Sequence, residues 1–375
     1  MATCRAGRTC VLQYDRSALN QTLPSSLRGG GYHVERIALS LSLKPAGKNI
    51  MNMKAIVLTE FGGPQALRLS EATIAAPAPG EVLLRHTAIG VNFHDCYVRS
   101  GLYRTLELPG IPGIEGVGVI EAVGAGVTGL RVGERVGWVS GRYGGYASHR
   151  IVREAEAIRL PENVADADMA ATLMKALTAC VLVTRAHAVQ PGQTVLVHAA
   201  AGGVGQLLSA WCRHLGATVI GTVGNRDKAE VARAAGAHHT ILYREENFVD
   251  RVKDLTAGAG VAAAFDPVGK DTFLGSMECL DFQGTLVNYG QASGPVEPFT
   301  PSVLATRSLS VVRPIVFHYV RNAQQLADLS ARVFDAFKQG IIRPIVPIQL
   351  PLADAASAHE ILEQQRSPGG VVLVP

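Results

Sequence analysis

The stretch VHAAAGGVG, residues 197–205, runs an apolar strand end straight into three glycines. Its last six residues fit A-x-G-x-x-G, the dinucleotide fingerprint with alanine in place of the first glycine. Gly202 would let a pyrophosphate approach the backbone, and Gly205 would let the following helix sit against the strand, with Gly203 and Val204 between them. Free N–H groups and the partial positive charge at the start of that helix favour phosphate. A turn that merely packs helix on sheet is the alternative, but the strand–loop–helix context inside a βαβ unit favours the cofactor. About twenty residues on, where an NAD site places Asp or Glu, the sequence reads Thr222-Val223-Gly224-Asn225-Arg226-Asp227-Lys228. Gly224 offers no carboxylate to repel a 2′-phosphate, and Arg226 and Lys228 can pair with one. A charge-assisted hydrogen bond contributes about 1.5–3 kcal/mol, so the expected cofactor is NADPH.

Two other clusters are chemically tempting and read as structural. His94 and Asp95 are adjacent on an expected helix and point about 100° apart, which makes them a poor catalytic pair. His238 and His239 lead a strand whose residues alternate faces, so a shared metal is not expected.

The elements that must position the loop fall into two regimes. Up to about residue 160, short alternating runs such as KAIVLT, ALRLSE, EVLLRHTAIGV, GVGVIEAVG, ERVGWVS and YASHRIV are punctuated by Gly/Pro turns. They predict a compact β-barrel-like domain, with one short helix over 93–100. Helices are then expected over 166–172 and 175–186, and strands alternate with helices to residue 290, which predicts a doubly wound parallel sheet. Helices near 322–338 and 354–364 and a last strand VVLVP read as the chain returning to the first domain.

Composition sets outer bounds. The chain has 375 residues, 47% hydrophobic and 18% charged, enough for two domains, and no uninterrupted apolar run reaches the length of a membrane span. Residues 1–52 hold seven of the 35 basic and two of the 31 acidic side chains, so the rest carries 28 and 29. That near-neutral body argues against nucleic acid as a partner. Six cysteines at 4, 10, 96, 180, 212 and 279, with no CxxC, predict free thiols in a reducing compartment. Residues 1–52 read as an extension. It is a targeting or regulatory segment on one reading; on the preferred one it is a translation start placed too early or a dispensable disordered tail.

Residues 53–375 resemble the medium-chain dehydrogenase/reductase superfamily and, within it, the zinc-independent quinone oxidoreductases of zeta-crystallin type. The stretches that carry the resemblance include GVNFHD (90–95), YVRSGLY (97–103), GERV (133–136), KALT (175–178), HAAAGGVG, GTVG (221–224), YREE (243–246), Arg313-Pro314 and AHEILE (358–363). The resemblance implies an α/β fold in which a GroES-like catalytic domain (53–173 and 318–375) is split around a Rossmann domain (174–317), with the cofactor between them. It implies that Asn92 and Tyr97 lie at the nicotinamide end, where the Tyr97 hydroxyl can donate to a substrate carbonyl. Their alternatives are capping the helix start and core packing. Thr178, Tyr243 and Arg366 match cofactor contacts of the family, Lys228 and Tyr243 being near the adenosine phosphate. Arg313 serves the cofactor or a strand-paired dimer interface, and Tyr103 lines the substrate mouth or is an exposed loop residue. A homodimer is implied on the same ground, and the reducing compartment read from the cysteines is taken as the cytoplasm.

Zinc enzymes of the superfamily begin their site with Cys where this chain has Asn92, and place His where it has Ile114. No zinc is therefore expected. Without a Lewis acid the substrate must accept hydride readily, as a quinone does, and positioning can supply most of the catalysis. Pro267, where the family commonly has Ser, and Gln291 are departures that bear on substrate range. The alternatives are an NADPH-dependent enone or enoyl-thioester reductase, and a non-catalytic NADPH-binding protein of crystallin or RNA-binding kind.

Overall fold

The structure, a computed structural model, describes residues 50–367 and 369–375. Cys4, Cys10 and nearly all of the expected extension lie outside the described residues. β1 (Ile50–Leu58) pairs antiparallel with β2 (Leu67–Ala75) from Ile50↔Ala75 onward, so the first strand opens three residues before Met53. β3 (Glu81–Val91) is followed by α1 (Phe93–Ser100), at the expected helix bounds. Asn92 precedes α1 with extended backbone and Gly101 ends it at φ 82°, a left-handed conformation that glycine adopts freely. Next come β4 (Glu115–Val123), β5 (Arg135–Val139), β6 (His149–Arg153) and β7 (Ala157–Arg159).

Two helices were expected over 166–186; one is found, α2 (Asp166–Val181), continuing into wider helical turns over Leu182–Ala186. The residues at the expected break, Leu173 and Met174, are apolar helix formers with no Gly or Pro to interrupt them. Asp166–Ala186 is also long and apolar enough, by length and mean hydropathy, to cross a membrane, although Lys175 and Arg185 interrupt its apolar runs. Of its most apolar window, 78% is buried inside the protein, as in the core helix of a folded domain.

The parallel sheet follows: β8 (Thr194–Val197), α3 (Gly203–His214), β9 (Thr218–Val223), α4 (Arg226–Ala234), β10 (His239–Leu242), α5 (Phe248–Leu255), β11 (Val261–Asp266), α6 (Phe273–Cys279), β12 (Leu280–Asn288) and β13 (Ser310–Val312). Its order is β10-β9-β8-β11-β12-β13, so the strand order reverses at β8 and β11, where ligands bind in doubly wound sheets. β13 has only three residues, too few to show a periodic signal in the sequence. The chain ends with α7 (Ala323–Lys338), β14 (Ile348–Pro351), α8 (Ala355–Glu363) and β15 (Val371–Val374). β15 pairs antiparallel with β3 at Val371↔Val91, and the second sheet runs β14-β15-β3-β4-β5-β7, with β6 also on β3. The tail thus pairs back onto the sheet that holds β3, β4 and β5. Among the described residues Cys96, Cys180, Cys212 and Cys279 are free and buried.

The glycine loop joins β8 to α3. Ala199 takes φ 49°, turning the chain, and Gly202 precedes the helix. A Cβ at Gly205 would lie 2.2 Å from the Ala199 carbonyl oxygen and 2.8 Å from Ala200 Cα. These are backbone atoms that cannot swing aside. Gly205→Ala gains the usual helix preference for alanine, about 0.5–1 kcal/mol, but the overlap costs about 1–3 kcal/mol or more. The variant is expected to unfold a few degrees lower in a thermal melt. An unchanged midpoint would mean that the loop yields without cost.

Candidate active site

A cleft of about 1270 Å³ follows the carboxyl ends of the parallel strands and is closed on its other side by the β3–α1 corner, the loop after β5 and α2. Ten of the eleven expected site residues line it: Asn92, Tyr97, Thr178, Gly202, Gly203, Val204, Gly224, Lys228, Tyr243 and Arg313. Arg366 does not; it is exposed beside Gln365 and Ser367, which do. Arg226 is likewise exposed and off the cleft, because it opens α4 and Lys228, two residues on, is turned to the other side.

At one end the site is built for an anion. No side chain caps α3 and no acidic residue lies in its first turn, so its amide groups are left for a ligand. A Cβ at Gly202 would meet only Ala199, leaving its other side to the cleft, whereas one at Gly203 would strike Gly369 O at 2.3 Å and Lys175 Cδ at 2.6 Å. Gly203 therefore permits close packing as well as close approach. Lys228 Nζ donates to Gln365 O at 2.9 Å, and burial and the neighbouring Arg244 lower its pKa. A Cβ at Gly224 would be 3.1 Å from the Tyr243 hydroxyl and 3.5 Å from Arg244 Nε. Tyr243, Arg244 and Lys228 thus gather at the end of β9, while Arg226 is turned away from it.

The other end is organised by Glu115, fully buried at the start of β4. Its Oε1 accepts from Asn92 Nδ2 at 2.7 Å, its Oε2 from the Met174 amide at 2.9 Å, and Lys175 Nζ lies 3.9 Å away. Burial pushes the Glu115 carboxyl up and the Lys175 ammonium down, and each partner opposes the other's shift. Lys175 Nζ is buried without a hydrogen-bond partner among the described residues. Beside it, Asp95 Oδ2 accepts from the Asn92 amide at 2.9 Å and from the Tyr146 hydroxyl at 3.2 Å; Tyr146 also meets His359 Nε2 at 2.9 Å. Burial raises Asp95 to about 7, from an ordinary 3.8.

The remaining wall is aromatic. The Tyr97 hydroxyl accepts from the Gln291 amide at 3.1 Å, which leaves its proton available, and burial raises it to about 12. Arg313 donates to Asn288 Oδ1, to Gly290 O at 3.3 Å and to the Tyr103 hydroxyl at 3.1 Å. Tyr103 lines the cleft. Asp266 Oδ1 accepts from the Val268 amide at 2.7 Å, the Gly269 amide at 3.1 Å and Thr272 Oγ1 at 2.8 Å, holding the Pro267 loop rigid. His94, read above as local structure, lies on the cleft wall instead, while Asp95 points into the core. Glu115, Lys175, His94, Tyr143 and Phe317 were not singled out as site residues in the sequence. Lys175 and His94 carried a signal, as members of the KALT and GVNFHD stretches; Glu115, Tyr143 and Phe317 did not.

Comparison with known proteins agrees with this geometry. A family model described as an alcohol dehydrogenase GroES-like domain matches residues 78–162, and one described as a zinc-binding dehydrogenase matches 203–332. Together with the sheet order they define a medium-chain dehydrogenase/reductase. Within that superfamily the chain belongs to the quinone oxidoreductase family. It is 40% identical to quinone oxidoreductase 1 of Escherichia coli, over 84% of this chain and 98% of that protein. It is 41% identical to a 2-haloacrylate reductase of a Burkholderia species, over 86% and 98%. The crystal structure of Escherichia coli quinone oxidoreductase complexed with NADPH matches with a TM-score of 0.83 at 38% identity, covering 86% of this chain and all of that one.

Two predictions follow from the buried polar groups. Lys175→Met leaves the Glu115 carboxylate buried without its cation and should cost about 3–5 kcal/mol. Adding Glu115→Gln should return much of that loss in denaturant unfolding; strictly additive losses would show that the two charges do not interact. Asp95 has a folded pKa above its unfolded one, so its burial costs nothing below about pH 4. The penalty grows as pH rises and is complete above about 7. Asp95→Asn should therefore gain in melting temperature relative to the parent between pH 5 and pH 8. A pH-independent difference would show that the carboxyl ionises in the fold at no cost.

Proposed function

We propose that the chain is an NADPH-dependent quinone reductase that transfers hydride directly, without zinc. The observation that carries this is the two-ended cleft: an uncapped helix start with Lys228 and Tyr243, and Arg244 close by Gly224, at one end, and a largely aromatic wall at the other. NADPH, present in the matched Escherichia coli structure, fits the first end. Gly202, Gly203 and Val204 would hold its pyrophosphate, Lys228 and Tyr243 with Arg244 its 2′-phosphate, and Arg366 would reach in from the rim. Asn92, Tyr97 and Thr178 would flank the nicotinamide, and Arg313 would brace the loops around it. When bound, the cofactor supplies the hydride; the chain supplies alignment and exclusion of water. The Tyr97 hydroxyl is set to donate to the substrate oxygen.

The donor set speaks against zinc. Asn92 spends its amide on Glu115 and Ile114 is a fully buried aliphatic side chain, so the residues present do not fit a zinc ion. The reading includes the domain division 53–173, 174–317 and 318–375, a cytoplasmic location, and a homodimer, for which the open edge of the parallel sheet at β13 is suited. Likeness to a 2-haloacrylate reductase keeps reduction of a conjugated C=C as the second reading.

The test is loss of NADPH absorbance with 1,4-benzoquinone, beside NADH and in the presence of a chelator. Chelator-resistant turnover selective for NADPH is expected. Turnover of 2-chloroacrylate in place of quinones would move the assignment to the second reading. Lys228→Ala should raise the KM for NADPH about ten- to a hundredfold, the equivalent of one charge-assisted bond, and leave that for NADH nearly unchanged. Equal effects on both would remove the 2′-phosphate contact.

A further inference from the structure

A second cavity, of about 340 Å³, opens beside the catalytic cleft. Val181 of α2 lines both, and the chain passes from the cleft at Phe317 to the cavity at His318. Arg185 enters from the wider turns after α2, Arg321 from just before α7, and Arg332 from α7 itself. Against these three guanidinium groups stands one carboxylate, Asp328, whose Oδ1 already accepts from Gln324 Nε2 at 2.7 Å. Among the described residues no hydrogen bond or ion pair holds the side chain of Arg185, Arg321 or Arg332. Arginines that build the fold behave otherwise: Arg99, Arg135 and Arg142 each hold a carboxylate.

The charges converge. Burial raises the Cys180 thiol, next to Val181, while its hydrogen bond to Thr184 and the nearby Arg332 and Arg185 pull it back. Guanidinium groups from two separate helical segments therefore bear on one place. Three positive charges less that of Asp328 leave a surplus of two, and like charges held together repel. An anion between them relieves that repulsion. The backbone at the start of α7 does not compete for it, because Asn322 Oδ1 takes the Gln325 amide and Gln325 Oε1 the Arg321 amide. Recognition falls to the side chains. Each guanidinium offers paired N–H groups that match the oxygens of a phosphate, and three of them suit two linked phosphates better than one.

We propose that this cavity binds a compact phosphate-type polyanion, a diphosphate, held by Arg185, Arg321 and Arg332. The site is distinct from the cofactor end of the cleft at Lys228, and it does not rest on the quinone-reductase reading. Its position admits two sources of the same chemistry. A free diphosphate would act on the cleft through Val181 and the step from Phe317 to His318. A diphosphate on the tail of a substrate would sit here while the reacting end lies in the cleft.

The experiment is calorimetric titration of inorganic pyrophosphate into the protein saturated with NADPH, so that the cofactor end is already filled. The parent, Arg185→Gln and Arg332→Gln are compared, with thermal melts of each. The parent should bind one pyrophosphate per chain, and either substitution should weaken binding about ten- to a hundredfold, the equivalent of one charge-assisted bond. Without pyrophosphate both variants should melt no lower than the parent, since they remove repulsion and break no bond. With it, the parent's midpoint should rise the most. No binding at millimolar pyrophosphate, or binding as tight in both variants as in the parent, overturns the proposal and leaves the quinone-reductase reading untouched. Inhibition kinetics then separate the sources, and either pattern supports the site. Pyrophosphate competing with crotonyl-CoA but not with 1,4-benzoquinone marks a substrate's tail; an equal change in the turnover of both marks a free effector.

Discussion

The site depends on one buried carboxylate. Glu115 begins β4 in the interior, and an unpaired charge there would be intolerable. Its oxygens are satisfied from three directions: by the Asn92 side chain before α1, by the Met174 amide of α2, and by the Lys175 ammonium one residue further on. The first sheet, its short helix and the long core helix are thereby tied at a single point. Even β3 carries the imprint, since a Cβ at Gly90 would stand 2.3 Å from Glu115 Oε1 and from Ala170 O. The carboxylate needs that glycine.

A second anchor works from the core side of α1. Asp95 takes the Asn92 amide and the Tyr146 hydroxyl, and Tyr146 reaches His359 on α8. Held at both sides, the eight-residue helix has little rotational freedom, so Phe93, His94 and Tyr97 face the cleft while Asp95, Cys96, Val98 and Arg99 are buried. The C-terminal return supports the same arrangement: β15 pairs with β3, and Arg99 binds Glu363 at the end of α8.

What was legible in the sequence is what local patterning encodes. The glycine loop, the bounds of α1 and α5, and the alternation that builds the parallel sheet all rest on neighbours close in the chain. Long-range pairing left no such trace. Glu115 and Lys175 are 60 positions apart, and nothing in either's surroundings names the other. His94 shows the same limit: neighbours on a helix do diverge, and Asp95 is turned inward, but local sequence could not say that His94 would meet rings from two distant loops. Arg226 failed on rotation alone. It starts α4, so the turn that brings Lys228 to the cleft carries Arg226 away from it.

The shifts in acidity along the cleft have a common sense. At the aromatic end His94 is pushed down to about 4, Tyr97 up to about 12, Tyr143 also up, and Asp95 behind them up to about 7, burial being the largest cause each time. Each shift favours the uncharged form. At the opposite end the amide groups of α3 and Lys228 present positive charge, with Arg244 close by. A cofactor with phosphates at one end and a flat ring at the other can lie in such a cleft in only one direction. The charge that hydride transfer creates then appears among oriented dipoles, near the Arg313 guanidinium that is bonded to Tyr103. There each oriented hydrogen bond acts in a low dielectric and is worth more than it would be in solution.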